Sequence, residues 1–130
     1  MSTTAAPLAL TSRLGLPRGT EMLHVTGLHY ADNRPFLHED RWININLLPM
    51  ARDADFSQVS ANEWLIQHAP YTGGDIGFSA MNADARLAEL LDASEGSALF
   101  VVDRITWDKD TPVTSVRLSY APGYRMNTKI

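Results

Sequence analysis

Two long runs of alternating, β-branched and aromatic residues, each folded back on itself at a polar turn, do most to restrict the fold of this chain. The first, "TEMLHVTGLHYA", meets the turn-forming cluster "DNRP" and returns as "FLHEDRWINI". The second, "SALFVVDRITWD", turns at "KDTP" and returns as "VTSVRLSYA". Between the hairpins lie two helical segments and one further strand. "SANEWLIQHA" opens with Ser60 and carries Glu63 three residues later, the reciprocal capping pattern, and stops at Pro70. "DIGFSAM" alternates as a strand. "NADARLAELLDAS" has an apolar stripe through Ala85, Leu87, Ala88, Leu90 and Leu91, with Asn82 expected as its cap. The order β-β, small helices, β, α, β-β predicts an α+β domain whose central, largely antiparallel sheet is covered by helices.

The remaining stretches are less regular. "TSRLGLPRG" is expected to hold a short helical turn broken by Gly15 and Pro17, and "LLPMARDADFSQVS" a turn of helix near Asp53 to Phe56. "YTGG" reads as a flexible link and "PGYRMNTKI" as an extended tail. The small, polar start "MSTTAAPLALTS" is expected to be a flexible arm over residues 1–12, leaving one domain over 13–130. A chain of 130 residues is long enough for one core and too short for two.

Composition removes several function classes. The net charge is −4, and two lysines and nine arginines are scattered rather than clustered. Direct nucleic-acid binding by this chain is therefore not expected, because phosphate recognition needs grouped cations. There are no cysteines, which excludes disulfides, thiolate nucleophiles and cysteine-based metal sites. No apolar run has the length of a membrane span and the start lacks a basic n-region, so a cytoplasmic protein without membrane contact is expected.

Motifs for catalysis are equally sparse. His24, His29, His38 and His68 show no metal-ligand spacing. A cross-strand His24–His38 pair has no carboxylate or thiol to complete a set, so no metal and no cofactor are expected. "TGGDIG" lacks the preceding strand and following helix of a phosphate-binding loop, and no nucleophile elbow occurs. The informative positions are charges on strands. In "RPFLHEDRWIN", Glu39 and Arg41 share a face with Leu37, Ile43 and Ile45. On the last strand Arg117 shares a face with Val113, Ser115 and Ser119, while Thr114, Val116, Leu118 and Tyr120 form the other. An arginine on an apolar sheet face is either half of a structural ion pair or a fork awaiting a carboxylate. Glu39 is an available partner for Arg41, so both readings stand at this point. Tyr71 and Tyr120 offer phenol donors.

Four segments in order resemble the effector-binding (UTRA) domain of GntR-type bacterial transcription regulators, in the branch of the histidine-utilisation repressors. They are "LGLPRGTEMLHVTGLHYADNRP", "HEDRWIN", "DFSQVSANEWLIQHAPYTGG" and "RITWDKDTPVTSVRLSYAPGYRM", together spanning Leu14 to Met126. The resemblance implies a chorismate-lyase-like fold with a small-molecule cleft. It also implies a homodimer whose geometry responds to a small-molecule effector, with urocanate as the effector of this branch. Candidate ligand contacts are Arg41 for a carboxylate, with Glu39, Thr114, Arg117 and Tyr120 on neighbouring strands and Tyr71 and Thr72 on a loop. The chain departs from the family pattern at Gly73, Ile76 and Ser79, where Glu, His and an acid are usual. Only a dozen residues precede the first match, so contact with DNA would require a winged helix-turn-helix domain that this sequence does not contain. The implied activity is sensing rather than catalysis. A lyase-like enzyme of the same fold, or a dimerisation module with a decayed site, are the alternatives.

Overall fold

A computed structural model describes all residues 1–130. The elements run β1 (Ser2–Ala5), α1 (Leu8–Leu14), β2 (Glu21–Ala31), β3 (Arg34–Ile43), α2 (Ala61–His68), β4 (Gly73–Asn82), α3 (Ala85–Leu90), β5 (Ala98–Asp108) and β6 (Thr111–Tyr120), with a 3₁₀ turn over Pro49–Asp53. The six strands form one sheet in the order β1-β2-β3-β6-β5-β4. Both expected hairpins are present, and the sheet is antiparallel with three helices, as the sequence pattern predicts.

The first hairpin turns on two residues. Asp32 and Asn33 both have positive φ, 52° and 63°. A type I′ two-residue hairpin loop requires left-handed backbone at both positions, and Asp and Asn tolerate it better than other non-glycine residues. β3 and β6 meet through Asn44 N–H to Val113 O and Ala121 N–H to Phe36 O, each 2.9 Å. The two bonds are equally spaced along both strands, which fixes a single antiparallel register without a bulge between them.

The chain divides into two compact units. The first comprises Met1–Val25, Arg41–Asp75 and Arg104–Val116. Its core gathers Leu23, Val25, Ile43, Leu48, Val113 and the α2 residues Trp64 and Leu65. α2 forms where expected: the Ser60 hydroxyl accepts the Glu63 N–H at 3.1 Å, satisfying one of the orphan donors of the first turn. Trp64 packs edge-on to Phe56 and stacks on His68, whose Nδ1 lies 2.8 Å from the Trp64 carbonyl oxygen. A smaller cluster of Ala6, Leu10 and Met22 seats α1.

The second unit comprises Thr26–Asp40, Ile76–Asp103 and Arg117–Ile130. Here α3 buries Leu87 and Ala88 among Ala83, Leu91, Leu99 and Val101. Burying a leucine side chain stabilises by about 1.5–3 kcal/mol and an alanine methyl by less, which is how a short helix of low intrinsic stability is held.

Four local expectations need correction. Asp84, not Asn82, caps α3: its carboxylate accepts the Leu87 N–H at 2.8 Å, and Asn82 is still in β4. The helical turn after Leu48 covers Pro49–Asp53 rather than Asp53 to Phe56, because Pro49 suits a first helical position. The first helix is Leu8–Leu14, earlier than the turn expected after Thr11, since Leu10 and Thr11 are the residues it buries. Residues 1–12, read from the sequence as an arm, carry β1 and the first turns of α1. β1 joins by backbone pairing, with Ser2 opposite His24 and Ala5 opposite Glu21, and such pairing leaves no hydrophobic signature.

"YTGG" has a definite structural job. A Cβ at Gly74 would sit 2.9 Å from the Ile105 carbonyl oxygen, and one at Gly73 would sit 2.9 Å from Trp107 Nε1. Neither glycine is a mere spacer: the absent side chains let the start of β4 lie close to β5.

Candidate functional site

β3 enters the interior with its charges. Arg41 is only 2% exposed and Glu39 only 7%, so the two charges on the apolar side of this strand are buried. Burying ions costs several kcal/mol each unless they are paired and hydrogen-bonded, so both positions are chemically specific ones.

In the first unit, the β3–β6 register sets Arg41 opposite Val116 and Ile43 opposite Thr114, placing these four on one face. Thr114 is buried, and its hydroxyl lies 2.9 Å from that of Thr106. Thr72 and Tyr71 belong to this unit also. The Thr72 hydroxyl accepts the Lys109 N–H, and the Thr72 N–H donates to the Trp107 carbonyl oxygen, fixing the loop to the β5–β6 turn. Tyr71 beside it is 66% exposed.

In the second unit, Glu39 is opposite Leu118 and shares its face with Tyr120. A Glu39 carboxylate oxygen lies 3.1 Å from His29 Nε2. Tyr120 is buried and stacks on Tyr124 at 4.0 Å between ring centroids, with Phe100 at 5.8 Å. His29, one of the four histidines without metal-ligand spacing in the sequence, is the neighbour of Glu39. Its proximity to Glu39 depends on cross-strand pairing, which residue spacing within one strand does not reveal.

Arg117 lies elsewhere. It occupies the opposite face, where its Nε and a terminal nitrogen donate to both Asp103 carboxylate oxygens at 2.8 and 3.1 Å. That bidentate bond, and then the nearby charges of Asp103 and Asp40, raise its pKa above the ordinary arginine value against the opposing effect of partial burial. Arg117 is thus the structural ion pair of the two readings open for a strand arginine. Arg104, another strand arginine, donates to the Asn62 side chain at 3.1 Å.

A surface cleft of about 380 Å³ opens in the second unit, with Arg34, Leu91, Asp92, Ser94, Ser97 and Ala121 among its walls. None of the seven residues expected to touch a ligand lines it. This cleft lies along exposed loops and holds none of the buried strand charges.

Comparison with known proteins identifies the fold and the family. The model of the UTRA domain matches residues 1–127. Histidine utilization repressors from Pseudomonas putida and Klebsiella aerogenes are each 30% identical over 112 residues, which is 86% of this chain and 45% and 46% of theirs. The chain thus spans a little under half the length of these curated relatives. The solved C-terminal domain of the histidine utilization repressor from Pseudomonas syringae pv. tomato superposes with a TM-score of 0.90 at 28% identity, covering 100% of this chain and 94% of that one. A GntR-family transcriptional regulator from Bacillus cereus has a TM-score of 0.84 at 14% identity, over 99% and 92% of the two chains, and at that identity it speaks for the fold alone. This chain belongs to the UTRA family: it is an effector-binding domain of the GntR type, homologous to the histidine utilization repressors.

Proposed function

We propose that this domain senses a small carboxylate-bearing metabolite and that Arg41 holds the carboxylate. One observation carries the reading: a guanidinium 2% exposed, on a face with Ile43, Thr114 and Val116. A guanidinium fork matches a carboxylate geometrically, and in a dry setting each charge-assisted bond is stronger than at the surface. The family supports binding rather than turnover, since the relatives are named as repressors and transcriptional regulators. Urocanate, an imidazole acrylate, is the first ligand to try, because the relatives repress histidine utilization.

Tyr71, Thr72 and Thr114, in the same unit as Arg41, are proposed as further contacts. Arg117 is not, being held by Asp103. The domain acts as a homodimer in the cytoplasm. In a longer regulator that supplies a winged helix-turn-helix domain, the effector would shift the population of dimer geometries by its differential affinity for them and thereby change DNA binding.

The test is a thermal-shift panel of urocanate, imidazole propionate and histidine on the purified chain. At least one carboxylate is expected to raise the melting temperature in a concentration-dependent way, since a ligand that binds only the folded state stabilises it. The shift should vanish in Arg41→Ala. A panel without any response, or an Arg41→Ala variant that responds like the wild type, contradicts the proposal.

A further inference from the structure

The cleft of about 380 Å³ in the second unit is walled without Arg41 and has no part in the sensing argument. Its walls come from the start of β3, the segment after α3 and the residues that end β6. Its volume is that of one small molecule and lies in the range of small-molecule sites.

Backbone bonds hold these walls. After α3, Asp92 takes the left-handed conformation at φ 53°. Its N–H donates to the Glu89 carbonyl oxygen at 3.3 Å, and the Ala93 N–H donates to that of Ala88 at 2.8 Å. This paired closure of a helix end fixes where the Asp92 side chain begins. Ser97 N–H donates to the Ser94 carbonyl oxygen at 3.1 Å, and the Ser97 carbonyl oxygen accepts the Ala83 N–H at 2.8 Å. On the strand side, Pro35 and Pro122 have ring-locked φ, and the Ala121 N–H is bonded to the Phe36 carbonyl oxygen. Walls set in this way lose little freedom when a ligand enters.

The lining is mixed in a particular way. Arg34 and Asp92 bring one charge of each sign to the same cleft. Neither side chain has an ion pair or hydrogen bond within the chain, with the other or with any third residue. Ser94 and Ser97 add two hydroxyls, each able to donate and accept. Buried Leu91 and half-buried Ala93 and Ala121 give an apolar wall. An anion alone would leave Asp92 facing a like charge, and a cation alone would do the same to Arg34. A neutral guest would take water from both charges and replace neither.

We propose that this cleft binds a small free amino acid as its zwitterion. The Arg34 guanidinium takes the carboxylate through its two-pronged donor edge, and the Asp92 carboxylate accepts from the ammonium group. The serine hydroxyls complete the polar contacts, and a short side chain lies on Leu91 and Ala121. Such a ligand would be a second input to the domain, independent of the carboxylate held by Arg41.

The test is a titration of the isotope-labelled wild-type chain with glycine, L-alanine, L-serine and L-valine into the millimolar range, read by amide chemical shifts. At least one amino acid is expected to give saturable shifts at Asp92, Ala93, Ser97 and Ala121. L-Valinamide and N-acetyl-L-valine, which each keep one charge, are expected to bind at least about tenfold more weakly than L-valine. Arg34→Gln and Asp92→Asn should each remove the response and leave the rest of the spectrum in place, since Asn tolerates the left-handed backbone at that position. A folded Arg41→Ala should keep it. No saturable shift at these amides with any of the four overturns the proposal. So does a response that survives both cleft variants, or one that the singly charged analogues reproduce. Shifts that vanish in a folded Arg41→Ala would assign the amino acid to the sensor site and overturn it too, whereas loss of the urocanate response alone leaves it standing.

Discussion

At the scale of single residues, burial divides charges that the sequence presents alike. Arg41 and Arg117 are both strand arginines flanked by apolar neighbours, yet one is 2% exposed and the other is bound to Asp103 on the open side. Alternation in "RPFLHEDRWIN" was enough to place Glu39 and Arg41 on a buried face. It could not identify His29 as the neighbour of Glu39, because that contact crosses from β2 to β3. Arg117→Ala is expected to cost at most about 1 kcal/mol in urea unfolding, since a pair exposed to this degree is screened by solvent, and to leave ligand response intact. A loss of ligand response would return Arg117 to the site. Asp55 gives a pH prediction. Hydrogen bonds from the Ser57 hydroxyl and N–H hold its pKa below the ordinary carboxylate value, so its contribution is present above the unfolded-state value and disappears as pH falls through the lower folded one. Asp55→Asn should therefore lower stability at neutral pH and flatten the acid limb of the melting profile below about pH 4. An unchanged acid limb would show that Asp55 gains nothing from Ser57.

Elements were legible wherever local chemistry decides them. The Ser60-Glu63 pattern marks the start of α2 and the structure starts it there, because the cap is a contact within four residues. The cap of α3 was misplaced by two residues: Asn82 and Asp84 are both good caps, and only the end of β4 decides between them. Ser60→Ala and Asp84→Ala should each cost about 1 kcal/mol, measurable as lowered urea midpoints. No change in either would mean that the bonds to Glu63 and Leu87 contribute nothing net. β1 carried no readable signal, since its four exposed residues are held by backbone pairing to β2. "YTGG" looked like a linker because glycine demanded by a neighbouring strand and glycine in a flexible loop are identical in sequence. Gly74→Ala distinguishes them. A Cβ 2.9 Å from a backbone carbonyl forces the strands to shift, and a loss of about 1–3 kcal/mol is expected. A neutral Gly74→Ala would make the segment the spacer that it resembled.

For the whole molecule, order of segments carried more than any one of them. Two hairpins bracketing helices and a lone strand gave the α+β class from pattern alone, and four motif-like stretches in sequence pointed to the family that the UTRA match and the 0.90 superposition establish. What pattern could not supply was the arrangement of sheet edges: β4 reads as an ordinary strand, and only the order β1-β2-β3-β6-β5-β4 leaves Ile76 and Phe78 at an open border. No helix is long and apolar enough to cross a membrane. The central claim is that a buried arginine fork recognises a carboxylate. Isothermal titration with urocanate and with its uncharged primary amide tests it most directly, on the wild type and on Arg41→Lys, which keeps the charge but loses the fork. The account predicts saturable binding of urocanate to the wild type, loss of at least about tenfold in affinity for the amide, and a comparable loss in a folded Arg41→Lys, each equal to about 1.4 kcal/mol or more. Equal affinity for acid and amide, or Arg41→Lys binding as tightly as the wild type, would contradict it.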